Sequence, residues 1–413
     1  MKKLFLFLLS LRARKVLTTA TSVIGITGSI GKTTTRMAIA HILSSYFRVQ
    51  TSPQNFNTPI GLLLTILKKE TLPESRGEWL SLLWNVFSQP LPHPEILVLE
   101  YGIDTPGDMD DLLVITTPDI AVMTPITPVH MAEGQFSSVN DIRREKLKLA
   151  HAAKKMVIGN AFDAETTEEL QRLRSDSLIL FGENTEYSPF TKGVLLKNII
   201  SNSDGISFTL DGEVYKAPLI GTFQAQIVAP AILIARMFGL PSETIRDSLS
   251  TFSPPSGRGR IFEGIHNSRI WDFSYNSSPA ATSAVLSAFG TIGITGRKIA
   301  LLGNMNELGE LAFSEHVRLG ETAAKYVDEL VFVGKNAEAF AKGVAEKVPL
   351  RCFEDANKAG NFLQSSLKEG DFLLVKGSQN KVFLEKAIRM LLKNPNDEKH
   401  LCRNSKRWRD QST

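Results

Sequence analysis

The chain has 413 residues, of which 43% are hydrophobic and 22% charged, and its formal net charge is +4. That length accommodates two or three domains with sizeable cores, while the composition excludes a disordered chain and a membrane bundle. A positive balance this small and dispersed argues against nucleic acid as a partner.

Only Cys352 and Cys402 occur, which form neither a disulfide framework nor a metal-ligand spacing and fit a reducing cytoplasm. The first residues, Met1-Lys2-Lys3 followed by the apolar run Leu4–Leu9, imitate a secretion signal. The run is too short to cross a bilayer and no small-residue cleavage site follows it. Residues 1–22 are therefore expected to form an apolar helix docked on the first domain, with peripheral membrane contact through residues 1–15 as the second reading.

The apolar run Val23-Ile24-Gly25-Ile26 leads into Thr27-Gly28-Ser29-Ile30-Gly31-Lys32-Thr33-Thr34, a strand that breaks into a glycine-rich turn and opens a helix. Gly28 and Gly31 let backbone N–H groups face an anion, the helix N-terminus adds partial positive charge, and Lys32 supplies a full one. Thr33 is suited to the magnesium that travels with a nucleoside triphosphate. Ile26 stands where a longer form of the loop has glycine, so this is the shorter TGxxGKT form. The bland alternative is a strand-to-helix turn with no ligand.

Alternating apolar runs and helix-period segments follow, the pattern of a parallel sheet covered by helices. Strands are expected at 23–27, 96–101, 119–124, 156–159 and 178–181, and helices at 32–46, 59–69, 78–88, 107–115, 139–153 and 165–174. The segment 193–218, punctuated by Gly193, Asp204-Gly205 and Asp211-Gly212, reads as hairpins, and a long apolar helix spans about 225–238. Ser253-Pro254-Pro255-Ser256-Gly257 marks a boundary, since neither helix nor sheet tolerates it. A second α/β unit is expected beyond it, with strands at 269–273, 298–303, 329–333 and 371–375. From Asn394 the chain is polar and aperiodic, which predicts a mobile tail over 394–413.

Three residues beyond the loop stand where chemistry is expected. Glu100 ends the apolar run Ile96–Leu99 and would face the same crevice as the loop, ready to hold magnesium, although an acid that merely ends a strand is common. His130 follows the third such strand, and Lys146 lies on the helix carrying Glu145. By default these are a structural histidine and a solvated lysine.

Taken in order, Thr27–Thr34, Asn55-Phe56-Asn57-Thr58-Pro59-Ile60-Gly61, Glu100-Tyr101-Gly102, His130, Glu145-Lys146, Tyr275-Asn276, Asn306-Glu307-Leu308-Gly309 and Val375-Lys376-Gly377-Ser378 resemble the motifs of the Mur ligases over roughly residues 23–390. Within that family the chain is most similar to the members that add D-alanyl-D-alanine to a UDP-muramyl tripeptide. The resemblance implies an α/β protein: a P-loop parallel-sheet central ATPase domain, 23–254, followed by a smaller Rossmann-like domain, 255–393. It also implies ATP and Mg2+ as cofactors, small-molecule peptide substrates, a cytoplasmic location and a monomer.

By the same resemblance Thr27, Gly28, Ser29, Ile30, Gly31, Lys32, Thr33, Thr34 and Asn276 bind nucleotide, and Lys32 clamps the terminal phosphates. Thr33 and Glu100 hold one magnesium, while His130 and a carbamylated Lys146 serve a second. A substrate carboxylate attacks the γ-phosphate of ATP to give an acyl phosphate, which the incoming amine then attacks. An arginine of the second domain assists; Arg258 and Arg260 are the candidates, with Arg260 favoured because an apolar strand follows it.

The chain departs from the family at several points. The adenine-reading pattern G-x-H-N-x-x-N is Gly221-Thr222-Phe223-Gln224-Ala225-Gln226-Ile227, which leaves Gln224 and Gln226 as alternative amides. The segment Asp272-Phe273-Ser274-Tyr275-Asn276 has lost one carboxylate, and Gln379 replaces an arginine. The 22 residues before the phosphate strand are too few for a separate UDP-sugar domain. Two further readings stay open: a Mur-like ligase with another acceptor, in polyglutamate formation or cofactor tailoring, and a nucleotide-binding scaffold without catalysis.

Overall fold

The computed structural model describes residues 2–53, 55–127, 134–173, 177–183, 191–306, 308–378 and 382–404. Two sheets organise them. The first has nine strands: β1 (Ser22–Thr27), β2 (Val49–Thr51), β3 (Ile96–Glu100), β4 (Ile120–Met123), β5 (Met156–Asn160), β6 (Leu178–Gly182), β7 (Lys192–Ser201), β8 (Ile206–Leu210) and β9 (Glu213–Ala217), in the order β2-β3-β1-β4-β5-β6-β7-β8-β9. Neighbours from β2 to β7 run parallel, and β7, β8 and β9 form an antiparallel meander.

β1, β3 and β4 are buried along their whole length, as strands covered on both faces must be. Alternate residues go to opposite cores: Ile24, Ile26, Ile96, Val98, Ile120 and Val122 to one, Val23, Leu97, Leu99, Ala121 and Met123 to the other. The helices that cover them include α1 (Lys2–Leu17), α2 (Lys32–Leu43), α3 (Pro59–Ile66), α4 (Arg76–Ser88), α5 (Asp108–Ile115), α6 (Val139–Ala152), α7 (Ala164–Leu173) and α8 (Phe223–Met237). α1 is a helix against α3 and α4, with Leu9, Ala13 and Val16 buried. α2 ends three residues before the expected 46 because the Ser44 and Ser45 hydroxyls donate to Ala40 O (2.6 Å) and Ile42 O (2.7 Å) and close the helix.

The second sheet is β10 (Arg260–Glu263), β11 (Arg269–Phe273), β12 (Lys298–Gly303), β13 (Glu329–Val333), β14 (Leu350–Phe353) and β15 (Phe372–Lys376), in the order β10-β11-β15-β12-β13-β14. Only β10 is antiparallel to its neighbour. Short edge strands at β2 and β14 add to the expected set. The chain after Asn394 is not a loose tail over its described part: Pro395–His400 form a 3-10 turn, Leu401 and Cys402 are buried, and Arg403 pairs with Glu385. Residues 405–413 lie outside the described residues. Ile220 and Phe223 of the first unit pack into the core around Trp271 and Phe273, so the two sheets share a seam.

β1 has β3 on one side and β4 on the other, so the strand order reverses there. In open α/β sheets that reversal opens a crevice beyond the strand carboxyl ends. Thr27, Glu100 and Met123 end those three strands, and the loop of residues 28–31 rises between them.

Candidate active site

The loop has the backbone that its glycines permit. Gly28 and Gly31 have φ of 143° and 86°, conformations in which a side chain is strained. A Cβ on Gly28 would lie 2.0 Å from Thr124 Oγ1 and 2.6 Å from the Thr124 carbonyl. Gly28→Ala is therefore expected to displace the loop, lowering stability by a few kcal/mol and weakening ATP binding, as melting curves with and without nucleotide would register. Backbone N–H groups of Ser29 and Ile30 donate to Pro125 O at 2.9 and 3.3 Å, and Ser29 Oγ donates to Thr127 O at 3.0 Å. These bonds pin the loop to the exit of β4.

Lys32 Nζ curls back to donate to Gly28 O (2.8 Å) and Ser29 O (3.4 Å). Burial holds its pKa below the ordinary value; the Glu100 carboxylate opposes that shift and the Arg258 guanidinium reinforces it. A phosphate would supply the missing countercharge. Thr33 and Thr34 are buried in the first turn of α2.

Glu100, 3% exposed, lies under that turn. Thr33 Oγ1 donates to its Oε2 at 2.8 Å. Asn55, with its amide nitrogen toward the carboxylate, donates to Oε1 (2.9 Å) and Oε2 (3.2 Å), and Asn57 Nδ2 reaches Oε1 at 3.4 Å. Arg36 Nε stands 3.5 Å from Oε2, both side chains shielded from solvent. A hydroxyl and a carboxylate oxygen side by side are hard donors of the kind magnesium takes from protein when phosphates and water complete its shell, so the residues present fit the ion. The roles of Arg36, Asn55 and Asn57 were not read from the sequence. Asn55 and Asn57 did stand in a family motif, whereas Arg36 looks like any solvated helix charge.

Lys146 comes from α6 and is 1% exposed. Burial, and then the nearby Lys32 charge, press its pKa well below the ordinary value against the pull of Asp104, Glu100 and Glu145. The default solvated lysine is thus replaced by a buried amine beside the loop. Glu145 turns the other way: Oε1 accepts from the N–H groups of Gly107 (3.0 Å) and Met109 (2.9 Å), capping α5, and Oε2 pairs with Lys148 at 2.8 Å. His130 lies outside the described residues.

The second domain brings Arg258, rather than Arg260, to this crevice. The Arg258 guanidinium sits 4.1 Å from the centre of the Tyr275 ring, and its charge depresses the pKa values of Lys32, Arg36 and Lys376. Arg260, on β10, donates to Pro254 O at 3.3 Å, stands opposite Asp272 in the sheet and feels the carboxylates of Asp272 and Asp397. The apolar strand after Arg260, which had favoured it, directs it to the sheet edge. Asn276 Oδ1 accepts from Ser277 N (2.8 Å) and Ser378 Oγ (3.4 Å), while its carbonyl accepts from Lys376 Nζ at 2.5 Å. Arg403 clamps this loop from the far end of the chain, pairing with Glu385 at 2.7 Å and donating to Ser274 O (2.7 Å) and Tyr275 O (3.0 Å).

Burial, with help from Arg258, pushes the Lys376 amine down to about 7. The unfolded chain then holds the proton more tightly than the folded one, so stability from this group rises with pH between about 7 and about 10.5. Lys376→Met should flatten that rise, which urea unfolding measured across the window would test.

Of the two candidate adenine readers, Gln224 is buried toward Gly259 at the domain seam. Gln226 accepts from Asn160 Nδ2 (3.2 Å) and lines a cavity of about 550 Å³ with Phe162, Asn198 and Thr222. Gln226 at that cavity is followed directly on α8 by Ile227, whose side chain lies against Gly31 of the loop.

Residues 26–235 match the Mur ligase middle domain and residues 257–379 the Mur ligase glutamate ligase domain. The chain belongs to the Mur ligase family. It is similar to UDP-N-acetylmuramoyl-tripeptide--D-alanyl-D-alanine ligase of Bacillus subtilis, 26% identical over 390 residues that make up 91% of this chain and 77% of the relative. The MurF ligase of Thermotoga maritima, solved in complex with ADP, superposes with a TM-score of 0.75 at 26% identity, covering 95% of this chain and 83% of that one. MurF from Acinetobacter baumannii shares the fold at a TM-score of 0.76 and 23% identity, over 93% and 79% of the two chains. As a Mur ligase the chain is an ATP-dependent ligase with a parallel-sheet central domain and a second α/β domain. No helix among the described residues is long and apolar enough to cross a membrane.

Proposed function

We propose that this Mur ligase joins D-alanyl-D-alanine to a muramyl tripeptide in peptidoglycan precursor synthesis, using ATP with Mg2+, as a monomer in the cytoplasm. The observation that carries the reading is the Thr33–Glu100 pair, 2.8 Å apart, set directly beneath the loop that carries Lys32. The names of the relatives, which include a ligase of that substrate pair and a structure with ADP, support it.

In this reading the amides of the first turn of α2 and Lys32 hold the ATP phosphates, and Gln226 reads the adenine from its cavity. Thr33 and Glu100 hold Mg2+, which when bound neutralises charge on the phosphoryl oxygens. The tripeptide carboxylate attacks the γ-phosphorus, ADP leaves, and the dipeptide amine displaces phosphate from the acyl carbon. Lys32 and Arg258 stabilise first the transferring phosphoryl group and then the tetrahedral oxyanion. Burial presses Lys146 toward the neutral amine, the form of lysine that captures carbon dioxide, and the carbamate would hold a second cation together with His130. Asn276 borders the nucleotide from the second domain.

Arg258→Ala is expected to lower kcat roughly a hundredfold, while Arg260→Ala leaves kcat near wild type; steady-state rates of the two variants decide between them. The function itself is tested by phosphate release from ATP. Release should require both UDP-muramyl tripeptide and D-Ala-D-Ala, and release that depends on neither, over a panel of muramyl peptides, would overturn the reading. Release driven by a polyglutamate acceptor instead would move the protein to another branch of the family.

A further inference from the structure

α1 and α4 lie side by side in parallel. The Phe5 ring meets Trp79 at 5.2 Å near one end, and Arg12 lies 5.3 Å from the Phe87 ring near the other while donating to Val86 O (3.1 Å) and Gln89 O (3.3 Å). Their inner faces, with Leu9, Ala13, Val16 and Val86, belong to the core. Their outer faces are also apolar. α1 presents Leu4, Phe7 and Leu11 at i, i+3 and i+7, and α4 presents Leu80, Trp84 and Phe87 at i, i+4 and i+7, with exposures from 40% at Leu11 to 75% at Trp84.

Single exposed apolar residues are ordinary, but six large ones on two adjoining helices form a patch that water alone does not favour. The charge on α1 has one sign, while Arg76 and Glu78 balance each other at the start of α4. Arg14 and Lys15, exposed, follow Leu11 on the outward face of α1, and residues 1–22 contain no Asp or Glu. Apolar side chains, three of them aromatic, with a basic flank on α1 complement an anionic lipid surface: acyl boundary for the one, phosphates for the other. Neither helix is long enough to span.

We propose that this α1/α4 face rests in the plane of an anionic membrane surface. Leu4, Phe7, Leu11, Leu80, Trp84 and Phe87 enter the headgroup–acyl boundary, and Arg14 and Lys15 meet lipid phosphates. The sequence-based expectation of contact through residues 1–15 thereby acquires a second helix. This contact is independent of which amide bond the ligase forms.

The test is co-flotation of the full chain with vesicles. Binding is expected to vesicles of phosphatidylcholine with phosphatidylglycerol, to weaken in high salt, and to be much weaker on phosphatidylcholine alone. Trp84 emission should shift to the blue on binding, and the shift should vanish in Trp84→Phe. The triple variant Phe7→Gln/Leu11→Gln/Trp84→Gln, altered only at exposed positions, should keep its circular dichroism and ATP turnover while losing at least about tenfold in vesicle affinity. Failure of the wild type to float with anionic vesicles at low salt, or equal flotation of the triple variant, would overturn the proposal. So would a concentration-dependent dimer abolished by the triple substitution in a protein that does not bind lipid, because the face would then belong to a second copy.

Discussion

Lys32→Ala is expected to lower substrate-dependent phosphate release by a factor of about a hundred to a thousand, with the melting temperature unchanged or slightly raised. The two halves of that expectation have one cause. Among the described residues the Lys32 amine donates to Gly28 O and Ser29 O of its own loop, and burial already disfavours its charge. Its removal therefore relieves a desolvated cation while deleting the loop's own charge on the transferring phosphoryl group. Rates and melting curves on the same preparation check both. Full activity in the variant would remove the phosphate-clamp assignment, and a large loss of stability would show that Lys32 is structural.

Glu100→Gln is expected to cost both stability and activity. The amide keeps a hydrogen bond to Thr33, but it leaves the buried Arg36 guanidinium beside a neutral group where a carboxylate stood 3.5 Å away. Removing one partner of such a pair typically costs about 3–5 kcal/mol. The second effect separates a metal ligand from a structural ion pair. ADP affinity of the wild type should rise when Mg2+ is added, and in Glu100→Gln that increment should disappear even at temperatures where the variant is fully folded. Calorimetric titration with Mg2+ and with EDTA measures it. An undiminished increment would leave Glu100 as a structural partner of Arg36 alone.

The strands that build the crevice were legible because β1, β3 and β4 are contiguous apolar runs, and a chain buried on both faces has no other composition open to it. The loop was legible for a related reason, since its glycines, lysine and threonine are consecutive. β2 and β14 were not: three residues with a polar centre, Val49-Gln50-Thr51, and Leu350–Phe353 with Arg351 and Cys352 exposed, carry no periodic signal at a sheet edge. The ordered end of the chain was hidden in the same way. Leu401, Cys402 and Arg403 are anchored by their meeting with β-sheet residues and Glu385, far away in sequence, inside an otherwise polar stretch.

The choice between Arg258 and Arg260 shows where reading a sequence stops. The two alternate around Gly259, and a two-residue step keeps side chains on the same face only if the strand has already begun. β10 begins at Arg260, so Arg258 is still in the turn, where it stacks on Tyr275 and meets the crevice. Nothing local distinguishes them. Lys146 is a similar case, since a lysine on an amphipathic helix is solvated unless something covers it, and the charges that act on it, Lys32, Glu100 and Asp104, come from distant parts of the sequence.

The central claim, that this crevice makes an acyl phosphate from a muramyl peptide carboxylate, is tested most directly by labelling that carboxylate with 18O. Attack of a carboxylate oxygen on the γ-phosphorus places that oxygen in the bridge, and expulsion of phosphate by the dipeptide amine carries it away. With labelled UDP-muramyl tripeptide, D-Ala-D-Ala, ATP and Mg2+, the account predicts one 18O in each phosphate released, read by mass spectrometry. Phosphate without 18O, its fourth oxygen taken from water and released at the same rate, would contradict it.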